Sequence, residues 1–165
     1  MSRHIRLASL GVSLLVACGT VSGTAQSTLR DQLTGHWRLV GTEQVREGEA
    51  PVATMGAEPR GLITYTRDGH VLAQLGPAMR PTVRAPEGTA DQVKELLRTQ
   101  TSYFGTFTVD ERTRTVTHHR DGSQVPGERD FVRRVDLQGT RLVLTTPETV
   151  VDGRTRFARI TWERA

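Results

Sequence analysis

The chain has 165 residues, 22 Lys and Arg against 18 Asp and Glu, a formal charge of +4, and a single cysteine. That length is enough for one domain with a core of its own, and a single cysteine excludes an internal disulfide. The basic excess shrinks on inspection: Arg3 and Arg6 belong to the leading segment, and taking those two from 22 leaves 20 against 18, about +2. Of these only Lys94 is lysine, and the arginines interleave with acidic residues instead of forming a stripe, so nucleic-acid binding is not expected.

Met1 to about Ala25 reads as an export signal. Arg3, His4 and Arg6 precede an apolar run, Leu7 to Ala17, that is too short and too interrupted by glycine and serine to span a bilayer as a helix. Two exits compete. Leu15-Val16-Ala17-Cys18 resembles the bacterial lipoprotein processing box, whereas Gly23-Thr24-Ala25 offers small residues before Gln26 for ordinary signal peptidase. Cys18 favours the first, because it sits where a thiol is lipidated and has no partner. Gly19 to Ser27 is then a short tether holding the domain, residues 28–165, to a leaflet. Either exit places that domain in the periplasm or cell envelope.

Thr28 to Thr34 can make one helical turn, and His36 to Val45 alternates as a strand, with Trp37, Leu39 and Gly41 on one face. Glu47 to Pro59 is an aperiodic loop. Gly61 to Thr66 and Val71 to Leu75 flank the tight-turn signal Arg67-Asp68-Gly69-His70 and form a hairpin. Gly76 to Gly88 is a proline-bearing loop long enough to be a lid or an entrance. Thr89 to Thr101 is the one convincing helix, capped by Thr89, with Val93, Leu96, Leu97 and Gln100 in a stripe expected to face the body. Strands then follow at Tyr103–Val109, Thr115–His119, Phe131–Leu137, Arg141–Thr146 and Thr155–Arg164, with turns at Asp110–Thr113, Gln138-Gly139 and Asp152-Gly153. Eight strands with one short helix imply an all-β, antiparallel up-and-down barrel, whose closure removes sheet edges and whose interior can hold one small ligand; a two-sheet sandwich is the alternative.

Several motifs narrow this further. Gly35-His36-Trp37 on the first strand and Arg164 at the end of the last resemble the lipocalin signature. Pro59 to Gly69, Ala73-Gln74, Tyr103-Phe104-Gly105-Thr106-Phe107 and Val116-Thr117-His118-His119 before Gly122-Ser123 resemble, in that order, the bacterial and fungal lipocalin-like domain family. The resemblance runs from about Leu33 to Arg164 and implies a lipocalin-like barrel in which Trp37 and Arg164 close the narrow end. After Gly122-Ser123 the chain departs from the family's longer, aromatic-bearing loop and reaches Arg133-Arg134 quickly.

Adjacent strand residues point to opposite faces, so His118 and His119 cannot chelate one ion together, and no metal site is expected. Phase with Val116 puts His118 inside, where it would bond to Ser123 or Tyr65, either as a structural polar link or as an acid/base or ligand contact. Candidate ligand contacts are Trp37, Tyr65, Gln74, Tyr103, His118 and Ser123, and the catalytic candidates, should there be chemistry, are His118, Tyr65 and Tyr103. Ser123 has no Gly-x-Ser-x-Gly frame, the carboxylate pairs lie in turns, and the glycines never form a phosphate loop, so no hydrolase, glycosidase or nucleotide cofactor is indicated. The expected function is binding of a small hydrophobic or amphipathic molecule or lipid in the barrel. The alternatives are an isomerase or cyclase using the same cavity, and a structural envelope protein with a filled barrel.

Overall fold

The computed structural model describes residues 27–78, 88–124 and 127–165. The leader, Cys18 and the tether up to Gln26 therefore lie outside the described residues, as do Pro81 and Pro86 of the long loop.

The chain enters through helix α1 (Leu29–Leu33), a single turn made possible by a capping box: Thr28 Oγ1 accepts from the Asp31 amide and the Asp31 carboxylate accepts from the Thr28 amide. Glu111, in the turn between two later strands, accepts from the Leu29 and Arg30 amides at 2.8 and 3.1 Å, satisfying two more donors at this helix start. Leu29 and Leu33 thereby become fully buried.

Ten strands follow: β1 (Gly35–Arg46), β2 (Val52–Ala53), β3 (Arg60–Tyr65), β4 (His70–Gly76), β5 (Thr101–Asp110), β6 (Thr115–Ser123), β7 (Asp130–Gln138), β8 (Arg141–Thr145), β9 (Thr149–Val151) and β10 (Arg154–Arg164), with helix α2 (Ala90–Thr99) between β4 and β5. Neighbours pair antiparallel in the order β1-β3-β4-β5-β6-β7-β8-β10, and β1 also pairs with β10, so eight strands close into the expected barrel. The two short strands, β2 and β9, are additions at the margin. They pair only two or three residues of β1 and β10, too few to leave a period in the sequence.

Alternation decides what is inside. Trp37, Leu39, Ile63, Tyr65, Val71, Ala73, Tyr103, Phe107, Val116, Val135, Leu142, Leu144 and Trp162 form a buried cluster with Leu29 and Leu33. All but the α1 leucines come from barrel strands, and each alternates with an exposed or half-exposed neighbour.

Three expectations need correction. The alternation of β1 does not run unbroken through Gly41: a bulge at Val40, between the pairs Leu39 with Trp162 and Gly41 with Thr161, reverses the phase, so that Thr42 becomes the buried residue at 4 % exposure. β6 runs four residues past His119, because a second bulge, opposite Phe104 and Gly105, lets Gly122 and Ser123 continue the ladder. Finally, two residues of the α2 stripe are not covered by the body: Val93 and Leu97 are 42 % and 41 % exposed. The helix itself forms where expected but ends at Thr99, since Thr101 already begins β5, and Thr89 and Gln92 form a reciprocal capping box at its start.

Candidate functional site

The two ends of the barrel differ. At the α1 end, Trp37 is wholly buried and its indole Nε1 donates to the Leu33 carbonyl at 2.7 Å, joining the first strand to the plug below it. The Arg164 guanidinium sits 4.1 Å from the Trp37 ring centroid and donates to the carbonyls of Thr34 and Gln32. Gly35 makes this stack possible. Its φ of +128° disfavours any L side chain, and a Cβ there would stand 2.8 Å from an Arg164 guanidinium nitrogen. Trp37 thus belongs to the closed end and is spent on Leu33 and Arg164.

Midway up the interior stands a polar column. His118, 1 % exposed, faces inward with Val116 as the strand phase requires, and bonds through both ring nitrogens: Nε2 to Tyr65 Oη at 2.8 Å and Nδ1 to Tyr103 Oη at 2.7 Å. Its partners are the two tyrosines; Ser123 is not among them. Burial, helped by the nearby Arg133 charge, pushes the His118 pKa down to about 3, so the imidazole is neutral throughout the physiological range. Burial likewise raises both phenols, Tyr65 well above its ordinary value and Tyr103 to about 12, and keeps them protonated.

A neutral imidazole has one N–H and one acceptor nitrogen, so one of the two tyrosine hydroxyls donates to His118 and the other accepts from it. Either tautomer leaves one buried phenol proton without a partner among the described residues.

Around the column the sequence reading missed three residues: Arg120, Phe131 and Arg133. The Phe131 ring is half-exposed, with the Tyr103 ring edge-on at 5.4 Å and the Arg120 and Arg133 guanidinium carbons 3.9 and 4.8 Å from its centroid. The signal was available in strand phase. Arg120 follows Val116 and His118 at steps of two on β6, and Phe131 and Arg133 precede Val135 at steps of two on β7, so all three fall on the inward face. Phe131 and Arg120 line a cavity of about 430 Å³ at the mouth, with Leu97, Arg98 and Gln100 of the α2 region, Ser102, Ser123 and Glu128 around it.

Other candidates fall elsewhere. Gln74 is a correction: on β4 the buried residues are Val71, Ala73 and Leu75, so Gln74 lies on the outer face and cannot line the interior. Ser123 is exposed at the mouth, where its hydroxyl accepts from Arg120 Nη1 at 3.1 Å. His119 points outward as expected, bonded to Thr108 and Asp130. Among the described residues no three His, Cys, Asp or Glu side chains come together as metal ligands.

No curated protein matches the chain. The lipocalin-like domain family matches residues 34–165, from the residue before Gly35-His36-Trp37 to the end of the last strand and beyond. Together with the closed eight-stranded barrel, this match settles the family: the chain belongs to the lipocalin-like domain family.

Proposed function

We propose that the protein is an exported binding protein of the cell envelope that holds a small hydrophobic or amphipathic molecule in the open half of its barrel. The observation that carries this reading is the contrast between the two ends. One is filled by Trp37, Leu33 and Arg164, while the other opens on a cavity of about 430 Å³ that has an aromatic floor and polar groups placed around it. Few, fixed polar groups on an apolar wall suit a ligand that is mostly hydrocarbon with one polar end. Export rests on the leader, and membrane attachment on Cys18.

The test is native mass spectrometry of the protein purified from its own envelope, followed by organic extraction. The reading expects a bound small molecule that leaves on extraction. A chain that carries nothing, and binds no member of a series of fatty acids, alcohols and sterols, is a filled structural barrel instead.

The Tyr65–His118–Tyr103 column favours a second reading, a proton-transfer enzyme of isomerase type. In it Tyr103, paired with Ser123 on the mouth side of His118, is the group that meets substrate, and His118 and Tyr65 relay charge behind it. Extraction separates the two readings: a binding protein returns its ligand unchanged, and an isomerase returns an altered one.

A further inference from the structure

We propose that the outer wall of the barrel carries a second site, a relay of threonine, histidine and aspartate that transfers acyl groups from activated esters. Three neighbouring strands supply it: Thr108 on β5, His119 on β6 and Asp130 on β7. His119 and Asp130 stand directly opposite each other in the ladder, while Thr108 lies two residues along β5 from Thr106, the residue opposite His119. The imidazole is bonded at both nitrogens, Nδ1 to Asp130 Oδ1 and Nε2 to Thr108 Oγ1, each at 3.0 Å. Thr108 and Asp130 are exposed and His119 is half-buried, all on the outward phase of their strands. The site therefore shares no residue with the interior column or with the cavity at the mouth.

The order of these bonds matters. A carboxylate only accepts, so the proton of the neutral ring lies on Nδ1, Nε2 is left as the acceptor, and the Thr108 hydroxyl donates to it. This is the connectivity by which a histidine, held in one tautomer by an acid, draws the proton from a hydroxyl nucleophile. Thr117 stands directly opposite Thr108, points the same way and makes no side-chain hydrogen bond among the described residues, so its hydroxyl can donate to a carbonyl oxygen as charge develops there. The same rung continues to Val132, 40 % exposed, on the wall of an outer cleft of about 230 Å³ that Thr115 and Pro147 also line. Val132 is two strand spacings from Thr108, roughly 10 Å, a span that an aliphatic acyl chain covers. In the first step Thr108 Oγ1 bonds to the ester carbonyl carbon while its proton passes to Nε2; the bond to the leaving alcohol breaks, and that oxygen takes the proton from His119. Water, giving a proton to the same Nε2, then attacks the threonyl ester, releases the acid and restores the Thr108 hydroxyl.

The experiment gives the full mature chain p-nitrophenyl butyrate, follows nitrophenolate release, and locates any butyryl group by intact mass and peptide mapping. Wild type is compared with Thr108→Val, Thr108→Ser and Asp130→Asn. General-base assistance is worth about 10²- to 10⁴-fold, so wild type should release nitrophenolate about a hundredfold or more faster than Thr108→Val. The butyryl group should map to Thr108. Thr108→Ser, which keeps the hydroxyl, should retain the activity, and Asp130→Asn should lose about tenfold or more because an amide no longer fixes the tautomer. No release above buffer from the wild type overturns the proposal. So does release that persists in Thr108→Val, or a butyryl group on His119 or Lys94 in place of Thr108, either of which would mean ordinary surface acylation. Asp130→Asn with the wild-type rate overturns the relay as drawn. Mapping reads the adduct in the unaltered chain, so that arm decides the matter even where a variant fails to fold.

Discussion

Acidification should destabilise the barrel through His118 specifically, and the size of the effect follows from its surroundings. In the folded chain burial brings the imidazole pKa down to about 3, against an ordinary value of 6.5. Below that ordinary value the unfolded chain binds a proton that the folded chain refuses, so stability attributable to His118 is complete above about pH 6.5 and falls until about pH 3. The slope is about 1.4 kcal/mol per pH unit, which between pH 6.5 and pH 4 amounts to about 3 kcal/mol, a large share of a domain's stability. Urea denaturation at pH 7, 5.5 and 4 measures it, with His118→Gln as the reference. Glutamine neither titrates nor forfeits hydrogen bonding, and the acidic groups whose pKa is held low, Asp31, Glu47, Asp68 and Asp110, are shared by both chains and cancel in the difference. The wild type should lose about 3 kcal/mol more than the variant on going to pH 4. Parallel pH profiles would refute the reasoning, because they would mean that His118 accepts a proton in the folded barrel and that the column is open to water.

Three further outcomes are expected. Gly105→Ala should destabilise by about 2 kcal/mol or more in urea denaturation, since a Cβ at the bulge between β5 and β6 would collide with the His119 backbone carbonyl, which a ladder strand cannot easily move. Arg164→Ala should cost about 1–3 kcal/mol by losing both carbonyl bonds and the stack on Trp37, whereas Trp37→Ala should cost about 3–5 kcal/mol by opening a void in the plug; differential scanning calorimetry ranks the two. For attachment to the membrane, Cys18→Ser should abolish palmitate labelling and globomycin-sensitive processing, and a wild-type product beginning at Gln26 would show that the other exit is used.

Strand phase carried most of the architecture. Each of the eight barrel strands alternates clearly enough for Val116 to place His118 inside, and the turns at Asp68-Gly69, Gln138-Gly139 and Asp152-Gly153 mark where the chain reverses. What escaped was local or three-dimensional. The bulge at Val40 inserts a residue just before Gly41, a glycine that reads as one more position of the alternation, and it reverses which side of β1 is buried. Gln74 was drawn in with Ala73 as one motif although the two neighbours necessarily face opposite ways. The amphipathic stripe of α2 is visible in sequence, but whether a neighbour covers it is a tertiary fact, and Val93 and Leu97 remain exposed. Arg120 and Arg133 are in phase with the interior, although a charged residue on a strand ordinarily faces water; that expectation fails here because an aromatic ring receives both guanidiniums.

The seam between β1 and β10 governs when the molecule can become itself. Arg38 and Glu163, bonded across it, are 125 residues apart in sequence, and pairing runs from Trp37 with Arg164 to Arg46 with Arg156, interrupted by the bulge at Val40. Every other barrel contact joins strands that follow one another closely or are separated by a single short element, and these can form early. Closure must wait for the last strand to be made and delivered. Until then β1 and β8 present unpaired edges, each able to pair with another copy of the chain. Maturation therefore ends with a slow, long-range step, and the interval before it is the chain's period of greatest risk from aggregation. A chain cut before Trp162 should remain in that state.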